Sequence, residues 1–155
     1  MDELLQKLLQ EEQELQFTRF NEDTAWEIGN ALVAHAVRES LPIAVDITRG
    51  DHQIFHASRP GTSTDNDEWV RRKVRLVYRF GHSSFYIGQL LKSRGKSLEE
   101  AYLISEGMYA PHGGCFPVLL EGTGMIGTIT VSGLPQEEDH KLVVNTIREY
   151  LRSRK

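Results

Sequence analysis

The chain has 155 residues, of which 39% are hydrophobic and 26% charged, a composition typical of one globular domain rather than a disordered chain. Its formal net charge of −4 disfavours nucleic acid and anionic membranes as main partners, since both attract a basic face. The single cysteine, Cys115, excludes an internal disulfide, and no apolar run approaches the ~20 residues of a membrane helix. The acidic start of the chain lacks the features of a secretory signal, so we expect a cytoplasmic protein.

Residues 1–14 are predicted to form a helix with an apolar stripe of leucines at helical spacing. The stripe consists of Leu4, Leu5, Leu8 and Leu9. We expect this helix to dock on its own domain or on a neighbouring subunit; the alternative is a surface that binds another protein. No linker or repeat interrupts the rest of the chain, so residues 1–155 are predicted to form one domain.

A weak strand is predicted at 15–20, and a helix rich in small residues follows it. Thr24 and Glu27 have the spacing of a capping box, which marks the start of this helix. We expect the helix to lie close against a sheet because one of its faces carries little side-chain volume. The small residues are Ala25, Gly29, Ala31, Ala34 and Ala36.

A β-hairpin is predicted at 43–48 and 52–57, with a turn at Gly50 between the strands. Thr64 or Asp65 is expected to cap the next helix. The remaining elements are three helices, a second hairpin and a last helix, predicted at 66–80, 85–94, 97–104, 116–120, 125–131 and from 135 onward. Two hairpins and the weak strand predict an antiparallel sheet of about five strands flanked by helices, which is an α+β fold.

Lys73 lies on the apolar stripe of the first of these three helices. It follows Val70 by three residues and precedes Val77 by four, so its ammonium group points inward, where an unpaired charge is costly. An ion pair within the domain or between subunits would satisfy it, with Asp46 or Glu106 as the acid. The alternatives are contact with an anionic ligand, or catalysis.

The loop before the second hairpin combines two glycines with a histidine and a cysteine. Gly113 and Gly114 allow a ligand or another chain to approach the backbone and leave N–H groups free, although a tight turn into the strand would also need them. His112 and Cys115 are spaced like two metal ligands, but structural zinc takes four, so no metal site is predicted. A nucleophilic Cys115 would need a base and electropositive surroundings, which the sequence does not provide.

The junction between the last strand and the last helix carries the remaining candidate residues. Ser132 ends the strand just before Gly133, at a kind of position where ligands bind. Asp139 and His140 follow near the start of the helix, as an acid–base pair or, alternatively, as capping residues. The sequence contains no nucleophile elbow, Walker loop or dinucleotide fingerprint.

These segments resemble the haem-degrading-protein-like family, also called HbpS-like or GlcG-like. The resemblance is carried by Gly-Gly-Cys-Phe-Pro-Val at 113–118, by Gly-Met-Ile-Gly-Thr-Ile-Thr-Val-Ser-Gly at 124–133, and by the acidic pair Glu138 and Asp139. Trp-Val-Arg-Arg-Lys, ending at Lys73, resembles the family's lysine helix. The resemblance covers roughly residues 24–153 and is closest to an uncharacterised cytosolic branch.

The resemblance implies a profilin-like layout and homo-oligomers whose sites often lie between subunits. Some family members bind haem, so haem is the cofactor that the resemblance suggests for this protein. The resemblance carries over five candidate ligand-binding residues, and His112 joins them because it adjoins the glycines. The full set is Lys73, His112, Gly113, Gly114, Ser132 and Asp139.

Two functional hypotheses of different classes follow, with an enzyme of unknown reaction as a third. The first is a homo-oligomeric protein that binds haem or another anionic small molecule. The second is an assembly scaffold without a small ligand, motivated by the leucine-striped helix at 1–14. The enzyme hypothesis has scattered acid–base groups, at Lys73, His112, Asp139 and His140, and no identified catalytic residue.

Overall fold

The computed structural model describes residues 2–154, along which six helices and five strands occur. The helices are α1 Glu3–Glu14, α2 Glu22–Glu39, α3 Thr64–Phe80, α4 Ser84–Arg94, α5 Leu98–Tyr102 and α6 Gln136–Arg152. The strands are β1 Gln16–Phe17, β2 Ala44–Arg49, β3 His52–Ser58, β4 Cys115–Leu120 and β5 Gly124–Ser132. These elements confirm the predicted α+β fold. Within the described part of the chain, no helix has the length and apolarity needed to cross a membrane.

The five strands form one sheet in the order β1-β4-β5-β2-β3. Both predicted hairpins are present, and β2 also pairs antiparallel with β5. The sheet is not antiparallel throughout, because β1 pairs parallel with β4, with Gln16 opposite Leu119. The connection between these two strands runs from α2 to α5 and is long enough for a parallel pairing. The first strand is also shorter than predicted, since only Gln16 and Phe17 form it.

Helices cover both faces of the sheet, and the two faces differ in chemistry. Helices α2 and α6 pack on an apolar face, where Val45 and Ile47 of β2 lie opposite Val131 and Ile129 of β5. Helix α3 covers the other face, which carries buried polar side chains from the same strands. These are Asp46, Thr48, Thr128, Thr130 and Ser132. The fold therefore has an apolar core on one side of the sheet and a polar layer on the other.

Side-chain caps set the helix starts one to three residues earlier than predicted. Asn21 caps α2: its side chain accepts from the Thr24 N–H at 3.0 Å, while Thr24 Oγ1 accepts from the Asn21 N–H at 3.2 Å. The predicted box from Thr24 to Glu27 was therefore wrong, because the preceding asparagine is itself a strong cap. Ser63, rather than Thr64 or Asp65, caps α3. The predicted box that begins at Ser97 is present.

Helix α1 docks on its own domain. Leu5 and Leu8 are buried in a second apolar cluster together with Phe85 and Leu91 of α4. Leu4 remains 40% exposed, so most of the leucine stripe is used inside the domain. The structure thus supports the prediction that this helix docks on its own domain.

Two glutamates fix the end of α1 by buried polar contacts. Glu12 accepts from the Ser83 N–H at 3.1 Å and lies 2.7 Å from His82 Nδ1. Glu11 lies 2.9 Å from His140 Nε2. The hydrogen bond from His82 to Glu12 raises the pKa of His82, although partial burial opposes this shift. The Glu12–His82 pair therefore makes the docking of α1 sensitive to pH.

We expect the Glu12–His82 contact to stabilise the protein more at pH 6 than at pH 9. A raised pKa in the folded state means that this stabilisation is complete below the unfolded value of 6.5 and is lost as pH rises through the folded value. His82→Gln should therefore lower the melting temperature at pH 6 and have little effect at pH 9. The matched control is His52→Gln on the exposed start of β3, which should leave the melting temperature unchanged at both pH values. An equal effect of His82→Gln at both pH values would contradict the prediction.

Candidate functional site

Lys73 and Asp139 form a buried ion pair beyond the end of β5. Lys73 comes from α3 on one face of the sheet, and Asp139 comes from the first turns of α6 on the other. Lys73 Nζ lies 3.3 Å from Asp139 Oδ2 and donates to the Val131 carbonyl at 3.3 Å. Both residues are nearly inaccessible, at 3% and 2% exposure. We call this pair, with the backbone around it, the brace.

The two glycines predicted as ligand contacts lie in narrow spaces, Gly114 against the brace and Gly113 against α4 and α6. A Cβ on Gly114 would lie 2.7 Å from Lys73 Nζ and against the Val131 carbonyl, and the backbone there has φ +137°. A Cβ on Gly113 would meet the Phe85 ring at 2.9 Å. The Gly113 N–H donates to the side chain of Gln136 in α6 at 2.8 Å. Because side chains do not fit at either position, the glycines let the β4 loop pass between α3 and α6.

Burial dominates the electrostatics of the brace. It raises the pKa of Asp139 to about 6, while the nearby ammonium of Lys73 and the N–H groups of Leu134 and Gly133 oppose the shift. Burial also lowers the pKa of Lys73, and Asp139 opposes that change. Each charge therefore compensates the desolvation of the other, and removing one partner would leave an isolated charge in the interior.

The other two candidate residues flank the brace. Ser132 is 3% exposed, and its hydroxyl lies 3.4 Å from the Asn66 side-chain nitrogen. His112 is half-buried with its ring edge-on to Trp69, and the Arg72 guanidinium lies over that same indole. Burial lowers the pKa of His112. These residues thus join the loop before β4 and the end of β5 to α3.

The structure brings the candidate residues together around an ion pair rather than around an open cavity. The acid that pairs with Lys73 is Asp139, not Asp46 or Glu106 as expected, because the N-terminal end of α6 folds over the end of β5. No residue of the predicted set lines either cavity described below. Their role as ligand contacts stays a prediction.

Neither the cysteine nor a cluster of metal-ligand side chains adds a reactive group among the described residues. Cys115 is fully buried, and this burial raises the pKa of its thiol to about 12, so the thiolate needed for nucleophilic attack is disfavoured. Among residues 2–154, no three His, Cys, Asp or Glu side chains are placed to hold a metal ion together.

A polar cavity that the sequence analysis missed lies between the β2–β3 hairpin and α3. It has a volume of about 300 Å³ and contains the buried carboxylate of Asp46. Its lining residues are Asp46, Thr48, Gln53, His56, Asp67, Val70, Arg71 and Val74. One signal was present in the sequence: the apolar alternation of β2 places Asp46 and Thr48 on the opposite face, which α3 then covers.

A larger groove of about 1040 Å³ runs between α2 and α6 on the apolar side of the sheet. Of the small residues predicted to bring α2 close to the sheet, Gly29 packs against the Phe55 ring, while Ala31 and Ala34 line the groove instead. His35 and Arg38 stand on the same helix wall at a spacing of three residues. Neither side chain makes a hydrogen bond or ion pair with another residue of the described chain.

The strand order and the helices on both faces define an α+β domain of the kind found in haem-degrading HbpS-like proteins. The model of the family described as haem degrading protein HbpS-like matches residues 20–148. The chain belongs to this family, which confirms the predicted resemblance. A UPF0303 protein of Streptomyces avermitilis is 46% identical over 141 residues, covering 91% of this chain and 86% of the relative.

Solved structures share this fold. The crystal structure of Ybr137w protein is 30% identical with a TM-score of 0.89, and the match covers 96% of this chain and 88% of that one. The structure of a PduOC:heme complex has a TM-score of 0.65 at 19% identity, covering 80% of this chain and 89% of that one. At that identity, the second similarity concerns the fold.

We expect Lys73→Met to lower the free energy of unfolding by about 3–5 kcal/mol, because it leaves the Asp139 carboxylate buried without its cation. Urea denaturation at pH 7 would measure the change. The double variant Lys73→Met/Asp139→Asn should recover part of the loss, since the amide oxygen can still accept from the Leu134 N–H.

The matched control is Arg71→Met on the same helix. Arg71 forms an exposed ion pair with Glu68, and such pairs contribute about 0–1 kcal/mol. If Lys73→Met were as mild as Arg71→Met, the brace would not be a main source of stability.

Proposed function

We propose that this protein is a homo-oligomeric small-ligand-binding protein, and that a flat anionic ligand of the haem class binds in the groove between α2 and α6. The observation that carries this proposal is the groove itself, whose volume of about 1040 Å³ is at the upper end of the range for small-molecule sites. The cavity beside Asp46, at about 300 Å³, is too small for a tetrapyrrole.

The groove offers the side-chain chemistry that a haem-class ligand requires. Its walls are mostly apolar, and Ala31 and Ala34 leave a flat surface on α2. The imidazole of His35 has no hydrogen-bond partner among the described residues, so its nitrogens can reach into the groove. Histidine is the most common protein ligand of haem iron. Bound haem would supply a redox-active iron and a strong visible chromophore at this position.

The charges around the groove are mixed, and one arginine is available to a ligand carboxylate. Four glutamates line the groove, of which Glu27 is engaged with Arg154. The other three, Glu39, Glu138 and Glu149, would have to lie away from the ligand carboxylates. Lys141 is paired with Glu137 at 3.2 Å. Arg38 has no acidic partner in the described chain and would meet a ligand carboxylate with charge-assisted hydrogen bonds. The PduOC:heme complex, which has the same fold, adds support for the ligand class.

Self-association is the second half of the proposal. Trp26 and Val37, on α2, are 63% and 54% exposed, which is unusual for large apolar side chains. A second copy packed along α2 would cover them and close the open side of the groove. The same surface supports the alternative, an assembly scaffold without a ligand, now that α1 is docked within its own domain.

We expect haemin titrated into the purified protein to give a saturable shift of the Soret band, and His35→Ala to weaken binding at least about tenfold, which is 1.4 kcal/mol. The matched control is His52→Ala at the exposed start of β3. A third variant, His112→Ala, tests the candidate residues predicted from the sequence. Loss of haemin binding in this variant would place the ligand at the loop beside Trp69 and not in the groove.

Native mass spectrometry of the protein as purified from cells tests self-association and ligand retention together. A discrete oligomer that carries extra mass per subunit supports the proposal. A discrete oligomer without added mass, combined with no Soret shift, supports the scaffold instead. A monomer that does not respond to haemin contradicts both.

A further inference from the structure

In the cavity between the β2–β3 hairpin and α3, the hydrogen bonds of the buried Asp46 carboxylate all fall on one of its two oxygens. Gln53 Nε2 donates to Asp46 Oδ1 at 2.6 Å, and His56 Nδ1 lies 3.2 Å from the same oxygen. The second oxygen, Oδ2, receives no hydrogen bond from any described residue. The Asp46 side chain is only 4% exposed, and a buried carboxylate is stable when donors satisfy both oxygens. This oxygen can therefore accept a hydrogen bond from a molecule in the cavity.

A second carboxylate across the cavity has the same deficit. Asp67 Oδ1 of α3 is buried and has no hydrogen-bond partner, although it lies 3.4 Å from His56 Nε2. A neutral imidazole has one N–H and can therefore donate to Asp46 or to Asp67, but not to both. With a neutral His56, at least one carboxylate oxygen at the cavity therefore lacks a hydrogen bond from the protein.

The net charge at the cavity is negative. Asp46 from β2 and Asp67 from α3 face it, together with His56 from β3. Arg71 is the one cation among the lining residues, and it is held in an exposed ion pair with Glu68 at 2.5 Å. Lys73, two residues further along α3, is engaged with Asp139. In this arrangement neither Arg71 nor Lys73 is paired with Asp46 or Asp67.

We propose that this cavity is a binding site for a small free primary amine, with the ammonium group between the carboxylates of Asp46 and Asp67. An ammonium is a compact group with three donors, which suits carboxylate oxygens that lack a hydrogen bond. An adjacent hydroxyl on the amine would meet Gln53 or Thr48, which complete the polar wall. The site is separate from the α2–α6 groove and does not depend on the ligand proposed there.

The geometry also makes the amine compete with a proton. When His56 is protonated, both of its N–H groups donate, one toward Asp46 and the other toward Asp67, and its charge opposes an ammonium. Amine binding should therefore weaken as the pH falls, because a protonated His56 competes with the ammonium for the same carboxylates. Burial raises the pKa of Asp46, so protonation of that carboxyl acts in the same direction.

Titration of the full chain with ethanolamine, followed by two-dimensional amide and imidazole NMR, tests the proposal. Saturable shifts at Asp46, Gln53, His56 and Asp67 are expected, and ethylene glycol, which lacks the charge, should bind at least about tenfold more weakly. Shifts of equal size with both probes, or shifts centred on the α2–α6 groove, would overturn the site. Tighter binding of Nα-acetyl-lysinamide would show that the occupant is a lysine side chain of another protein and not a free amine.

Variants separate the charge from the shape of the site. Asp46→Asn keeps the size of the side chain and should weaken ethanolamine binding at least about tenfold, whereas Asp51→Asn at the exposed hairpin turn should leave it unchanged. His56→Gln should retain binding and reduce its dependence on pH; the remaining dependence comes from Asp46, whose pKa burial raises. Unchanged binding in Asp46→Asn would overturn the proposal. If that variant does not fold, a pH dependence in His56→Gln as steep as that of the unsubstituted protein overturns it instead.

Discussion

The arrangement of this domain depends on one buried ion pair that joins helices from opposite faces of the sheet. Lys73 reaches past the end of β5 from α3, and Asp139 meets it from α6. The sheet lies between the two helices, so the two side chains meet only where both extend past its edge at the end of β5. The pair therefore fixes how the two helical layers sit relative to each other. It also fixes the loop at Gly113 and Gly114, which has to pass through the same narrow space.

The two cavities lie on opposite sides of the sheet because the strands have two chemically different faces. Val45 and Ile47 supply the apolar face beneath α2 and α6, next to the groove. Asp46 and Thr48 alternate with them and supply the polar layer beneath α3. Buried polar layers are costly unless hydrogen bonds satisfy them, and here Gln53, His56 and a hydroxyl network do so in part. One strand thus packs into the apolar core with some of its residues and lines a polar cavity with the alternate ones.

Much of the fold could be predicted because its signals are local. The alternation of Ile43, Val45 and Ile47, the glycine-bounded β4–β5 hairpin and the capping box at Ser97 act over a few residues. The helix that carries Lys73 could be predicted for the same reason, and so could the inward direction of its ammonium group. The parallel pairing of β1 with β4 could not, because it joins segments about 100 residues apart.

The candidate site was harder to predict than the fold because its partners come from distant segments. The inward lysine implied an acid, but the choice of Asp139 depends on how α6 returns over the end of β5. The alternation of β2 placed Asp46 away from the apolar core without indicating that α3 covers it and that His56 and Asp67 adjoin it. The resemblance marked the residues of the brace, which hold the fold together, and not the residues that line the cavities.

Gly114 has a consequence for how this domain can change over evolutionary time. With Lys73 Nζ and the Val131 carbonyl on either side, no larger side chain fits there without displacing a charged group or the backbone. The walls of the small cavity carry no such restriction, since Gln53 and His56 lie on an edge strand and Asp67 is partly exposed. The lining of this cavity can therefore diverge among relatives by substitution along β3 and the start of α3, while the scaffold that supports those positions remains constant.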